Sequence, residues 1–71
     1  MVLRDFICLS EAGKDEVVFL KGNYITDKIA NGYRIMLYKI DNFYVEVYQD
    51  IKKNVIKKFK GCSRSDMLYA Q

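Results

Sequence analysis

Seventy-one residues make a single domain, residues 1–71, with a thin core, because folding at this size hides only about 60% of the unfolded surface. A hydrophobic share of 51%, with six Tyr and four Phe, excludes a disordered chain, and no Pro with only four Gly excludes a flexible linker. The net charge is +3, and the complete lack of His removes the commonest general base and the commonest ligand for zinc or iron.

The stretch from Met1 to Leu9 is apolar but broken by Arg4 and Asp5, so it lacks the unbroken run of about 7–15 residues that a secretory signal needs. No run approaches the ~20 residues of a membrane helix, and the expected compartment is the cytoplasm. Ser10 as N-cap, Glu11, Asp15 and Glu16 early, Lys21 late and Gly22 as the residue after the helix punctuate a helix over 10–22. The apolar run Val17-Val-Phe-Leu20 also fits a strand, with Gly22-Asn23 as its turn; the helix is the preferred reading.

Tyr24 to Ile29 reads as a strand, and Asn31-Gly32 is the strongest two-residue hairpin signal in the chain. It leads into Tyr33-Arg-Ile-Met-Leu-Tyr-Lys-Ile40, which meets Phe43-Tyr-Val-Glu-Val-Tyr-Gln49 across the turn Asp41-Asn42. A two-residue turn sets Ile40 opposite Phe43, Tyr38 opposite Val45 and Met36 opposite Val47 on a plain core face. The other face is mixed: Ile35 opposite Tyr48, Leu37 opposite Glu46, and Lys39 opposite Tyr44. Ile51 to Asn54 is a polar turn, Val55 to Phe59 a fourth strand closed by Gly61, and Ser63 to Gln71 the start of a short helix capped by Ser63 or Ser65. The fold class is therefore α+β: an N-terminal helix packed on a 3–4-stranded antiparallel β-meander, with a short C-terminal helix as its last layer.

The central hairpin resembles a family of small bacterial proteins, of Bacteroides-like bacteria, with a YxIxLYxxxxFYVEVxY core. The residues that carry the likeness are Tyr33 to Tyr38, Phe43 to Tyr48, Asn54 to Ile56 and Phe59, within residues 15–60. The resemblance implies a helix–meander architecture and a bacterial source, and brings no activity with it. The chain departs from that family's pattern at its end, where the C-terminal helix shortens to 65–69.

Charge is unevenly placed. Between Lys52 and Arg64 there are six basic side chains and no acid, so Lys52, Lys53, Lys57, Lys58, Lys60 and Arg64 are candidate phosphate contacts. Tyr24, Tyr33, Tyr38, Tyr44 and Tyr48 could stack bases, although aromatic strands most often signal packing. Glu46 is an acid inside an apolar strand, either a costly buried group or one kept wet near Lys39. Cys8 and Cys62 have no CxxC spacing and read as two free cysteines, although spacing alone leaves a disulfide open. No phosphate-binding glycine loop, catalytic triad or metal motif is present, and no cofactor, metal or enzymatic activity is expected.

The leading expectation is a non-enzymatic interaction module that forms a homodimer through its sheet, with Ile35, Leu37, Tyr44 and Tyr48 at the contact. The alternative is an RNA- or single-strand-binding protein that uses the basic 52–64 segment. A third reading, a ribonuclease-toxin-like protein, rests on Arg34, Tyr38 and the basic last strand.

Overall fold

The computed structural model describes residues 1–64. Helix α1 (Leu3–Ile7) and helix α2 (Glu11–Lys21) precede four strands, β1 (Asn23–Ala30), β2 (Tyr33–Ile40), β3 (Phe43–Asp50) and β4 (Val55–Cys62). The strands form one antiparallel sheet in the order β1-β2-β3-β4, so the expected α+β helix–meander fold is observed with all four strands. The expected short C-terminal helix lies outside the described residues.

Local chemistry explains most of the boundaries. The Ser10 hydroxyl accepts from the Gly13 N–H at 3.1 Å, which caps α2 and settles residues 11–21 as helix. Gly22 ends the helix, but not in the left-handed conformation expected of a residue in that place: its φ is −74° and the chain leaves extended. Glycine is required there for space, since a Cβ would sit 2.5 Å from the Val18 carbonyl oxygen. The Asn31-Gly32 turn has φ of 53° and 81°, the positive pair that a tight hairpin demands, and Asp41 takes 52° at the next turn. Between β3 and β4, the Asp50 carboxylate accepts from the Lys53 N–H at 3.0 Å, and Asn54 closes the turn at φ 57°.

The β2–β3 register is the one a two-residue turn dictates, from Ile40 beside Phe43 to Tyr33 beside Asp50. It sends Ile40, Phe43, Val45 and Val47 to one face, where they join Phe6 and Val18 from the helices in the main core. Helix α1 is an element that the sequence reading did not assign. Its Phe6 is fully buried, with its ring 5.7 Å from that of Phe43, in a seat made by Gly61. A Cβ on Gly61 would stand 2.8 Å from Leu3 and 3.3 Å from Phe6. Gly61 therefore does not close β4; the strand runs through it to Cys62, and the missing side chain admits the helix.

Two irregularities break the alternation of faces. The β1–β2 register shifts between Tyr24 and Thr26, and the β3–β4 register shifts where Tyr48 meets Lys58 and Gln49 meets Ile56. The second inserts Lys57 into β4 as the extra residue of a bulge. No helix among the described residues is long and apolar enough to cross a membrane.

Candidate functional site

The sheet face opposite the helices has its own small apolar cluster, made of sheet residues alone: Ile35 and Leu37, with Ala30, Tyr33, Tyr44 and Tyr48 packed around them. Its side chains stand in cross-strand rows set by the register. One row runs Lys28, Ile35, Tyr48, Lys58; the next Thr26, Leu37, Glu46, Lys60; a third Lys39, Tyr44, Cys62.

Ile35 and Leu37 are not at the surface. They are 8% and 0% exposed, because the tyrosine rings close over them. Of the four residues expected at a self-association face, only Tyr44 and Tyr48 still reach solvent, both half-buried. What this face presents is tyrosine rim and lysine, not an aliphatic patch. The rings are organised: Tyr33 and Tyr48 meet edge to face with centroids 6.0 Å apart. The Lys58 ammonium lies 4.4 Å from the centre of the Tyr48 ring, and that of Lys39 lies 5.8 Å from the centre of Tyr44. A cleft of about 260 Å³ opens between the Asn31 turn and β4, lined by Tyr33, Ile35, Tyr48, Lys57 and Lys58 among others.

Of the candidate phosphate contacts, Lys57, Lys58 and Lys60 border this face, whereas Lys52 and Lys53 sit in the β3–β4 turn and Arg64 follows the end of β4. Lys28, which the sequence reading left out, joins them through its place beside Ile35. The Asn31-Gly32 turn already implied that pairing. Glu46 is half-buried and accepts from the Tyr48 hydroxyl at 3.2 Å, with Lys60 as its cross-strand neighbour. Burial first, and the Glu46 carboxylate second, push the Tyr48 phenol above its ordinary range.

On the helix side, Arg34 donates from Nε and from its terminal nitrogen to one Asp27 oxygen, at 2.9 and 2.6 Å. Hydrogen bonding from Arg34, then from Tyr24, holds the Asp27 carboxyl below its usual range, and donating to Asp27 raises the Tyr24 phenol. Arg34 is thus occupied, and with Tyr38 it lies on the face away from Lys58 and Lys60. The group that suggested a ribonuclease-like site is divided between the two sides of the sheet.

Cys8 is exposed and Cys62 half-buried, and no disulfide joins them. Among the described residues, no three His, Cys, Asp or Glu side chains come close enough to hold a metal ion. Comparison with known proteins adds no relative: no family model, curated protein or solved structure matches the chain.

Proposed function

We propose that the protein is a small non-enzymatic binding module that takes single-stranded nucleic acid on the tyrosine face of its sheet. The observation that carries this reading is the alternation of rings and ammonium groups on one face, with Lys58 against Tyr48 and Lys39 against Tyr44. Single strands are held in this way, with bases on aromatic rings and phosphates on surrounding cations, and every base has a face to stack. Five lysines, Lys28, Lys39, Lys57, Lys58 and Lys60, border the face against two acids, Glu46 and Asp50. Glu46 stands across from Lys60, and the Asp50 carboxylate accepts from the Lys53 backbone N–H; both acids keep their negative charge, and the lysines outnumber them.

Self-association through this face is the weaker reading, because the aliphatic area that motivated it lies beneath the rings. Fluorescence anisotropy with a labelled oligonucleotide, as RNA and as DNA, tests the proposal. Binding should weaken as salt rises, with a log–log slope of about −0.7 for each phosphate contacted. Absence of binding at low salt to either strand, or binding indifferent to Lys58→Gln and Lys60→Gln, sinks it.

A further inference from the structure

The opposite side of the molecule has an apolar surface of its own that the nucleic-acid reading does not use. Helix α2 covers the sheet only in part. Between it and β4 runs a groove of about 250 Å³, lined by Val18, Met36, Tyr38, Val47, Ile56 and Phe59. On its rim Phe19 is 85% exposed, next to Leu20 at 68%, and Ile56 is 42% exposed. Asp15 and Phe19, one helical turn apart, share the flank of α2 that borders the groove.

We infer that this groove is the interface of a homodimer, in which α2 of each copy lies across the groove of the other and Phe19 enters it. Three observations select a second copy as the occupant. The knob and the hole belong to the same patch, which is what a two-fold interface requires, since each residue must meet its counterpart's partner. The charges are self-complementary as well: the exposed acids Asp15 and Glu16 mark the helix, and the turn leading into Ile56 carries exposed Lys52 and Lys53. The size also fits. The protein measures 31 × 28 × 17 Å, so one broad face supplies the roughly 800 Å² per partner of a standard interface. A chain with eight buried apolar residues among those described gains much from closing this groove. The arrangement leaves the tyrosine face of each copy open, so it stands or falls independently of nucleic-acid binding.

Sedimentation equilibrium of the full chain across a wide concentration range decides the matter. The expected result is a monomer–dimer equilibrium with a mass of 8.4 kDa for the monomer, weakening as salt rises. Phe19→Lys, at a side chain that packs against little, should stay folded by circular dichroism and raise the dissociation constant by about thirty-fold or more. Ile56→Glu should do the same, while Tyr44→Lys should leave it unchanged. A monomer at every concentration overturns the inference, and nuclear Overhauser contacts from Phe19 to residues 65–71 in such a monomer would identify the chain's own end as the occupant. A dimer that tolerates both Phe19→Lys and Ile56→Glu overturns it too, because the contact then lies elsewhere.

Discussion

The Lys58 ammonium and the Tyr48 ring are cross-strand neighbours, with the charge 4.4 Å from the ring centre. At that distance the cation rests on the negative face of the ring, an attraction of about 0.5–1 kcal/mol at an exposed site. The pairing keeps a long side chain close to the aromatic surface where a phosphate would have to sit, instead of extended into solvent.

The first expectation follows from that pair. Lys58→Gln should lower affinity for a single strand at low salt and reduce the magnitude of the salt slope by about 0.7, the signature of one fewer phosphate neutralised. Tyr48→Leu keeps the hydrophobic cover over Ile35 but removes the stacking surface, so it should weaken binding without changing the slope. The chain has no Trp, so binding is also legible as quenching of tyrosine fluorescence. Equal slopes for Lys58→Gln and the parent would mean that Lys58 touches no phosphate.

The second expectation concerns two cores rather than one. Val45 and Val47 lie in the main cluster at 0% and 3% exposure, and truncation of each to Ala should cost about 1–3 kcal/mol. Leu37 is equally buried on the other face, so Leu37→Ala should cost about 2–5 kcal/mol. Urea unfolding that finds Leu37→Ala cheaper than both valine changes would show that the tyrosine layer is loose.

How much of the fold is legible in the sequence depends on which contacts are local. The Asn31-Gly32 and Asp41-Asn42 turns dictate register through hydrogen bonding over a few residues, so three strands and the facing of Val45 and Val47 can be read from the chain. The state of Ile35 and Leu37 cannot. Alternation places them on the mixed face, but only the bodies of Tyr33, Tyr44 and Tyr48 leaning inward decide whether they are wet. The bulge at Lys57 is hidden as well: the run Val55-Ile-Lys-Lys-Phe59 has no glycine or turn residue to mark where the extra residue enters β4. Helix α1 is five residues long, too short to announce itself by periodicity, and its seat lies at Gly61, over fifty residues away.

The third expectation tests that distant seat. Gly61→Ala sets its Cβ 2.8 Å from the end of the Leu3 side chain, which can turn aside, so the change should be mild. Gly61→Val adds two further methyl groups to the same space and should displace α1, at about 1–3 kcal/mol for an overpacked site. Hydrogen exchange should report it as weaker protection in residues 5–9, with the β2–β3 pairing retained. Protection that falls evenly across the sheet would contradict this division.

The fourth expectation isolates the turn. Gly32 has φ 81°, and a Cβ there would meet nothing within 4 Å, so Gly32→Ala carries a conformational cost alone. That cost is about 1 kcal/mol, from an L-residue held in left-handed space. Gly22→Ala should be worse despite its ordinary φ, because its Cβ would collide with the backbone oxygen of Val18. Thermal melts that rank Gly32→Ala below Gly22→Ala in stability would reverse the two causes.

The last expectation is a pH dependence at the alkaline end. Burial, reinforced by Glu46, raises the Tyr48 phenol in the folded protein, and its hydrogen bond to Asp27 raises Tyr24. A group with a raised folded value binds its proton more tightly when folded, so its contribution to stability is complete below the unfolded value of about 10. It is lost as pH climbs from there through the folded value, where the unfolded chain ionises first. Stability should therefore fall with pH above about 10, and Tyr48→Phe should make that fall shallower, because Phe has no proton to lose in either state. Ultraviolet difference titration should show one late-ionising phenol fewer in Tyr48→Phe. An alkaline stability profile that Tyr48→Phe leaves as steep as before would place the raised phenol elsewhere.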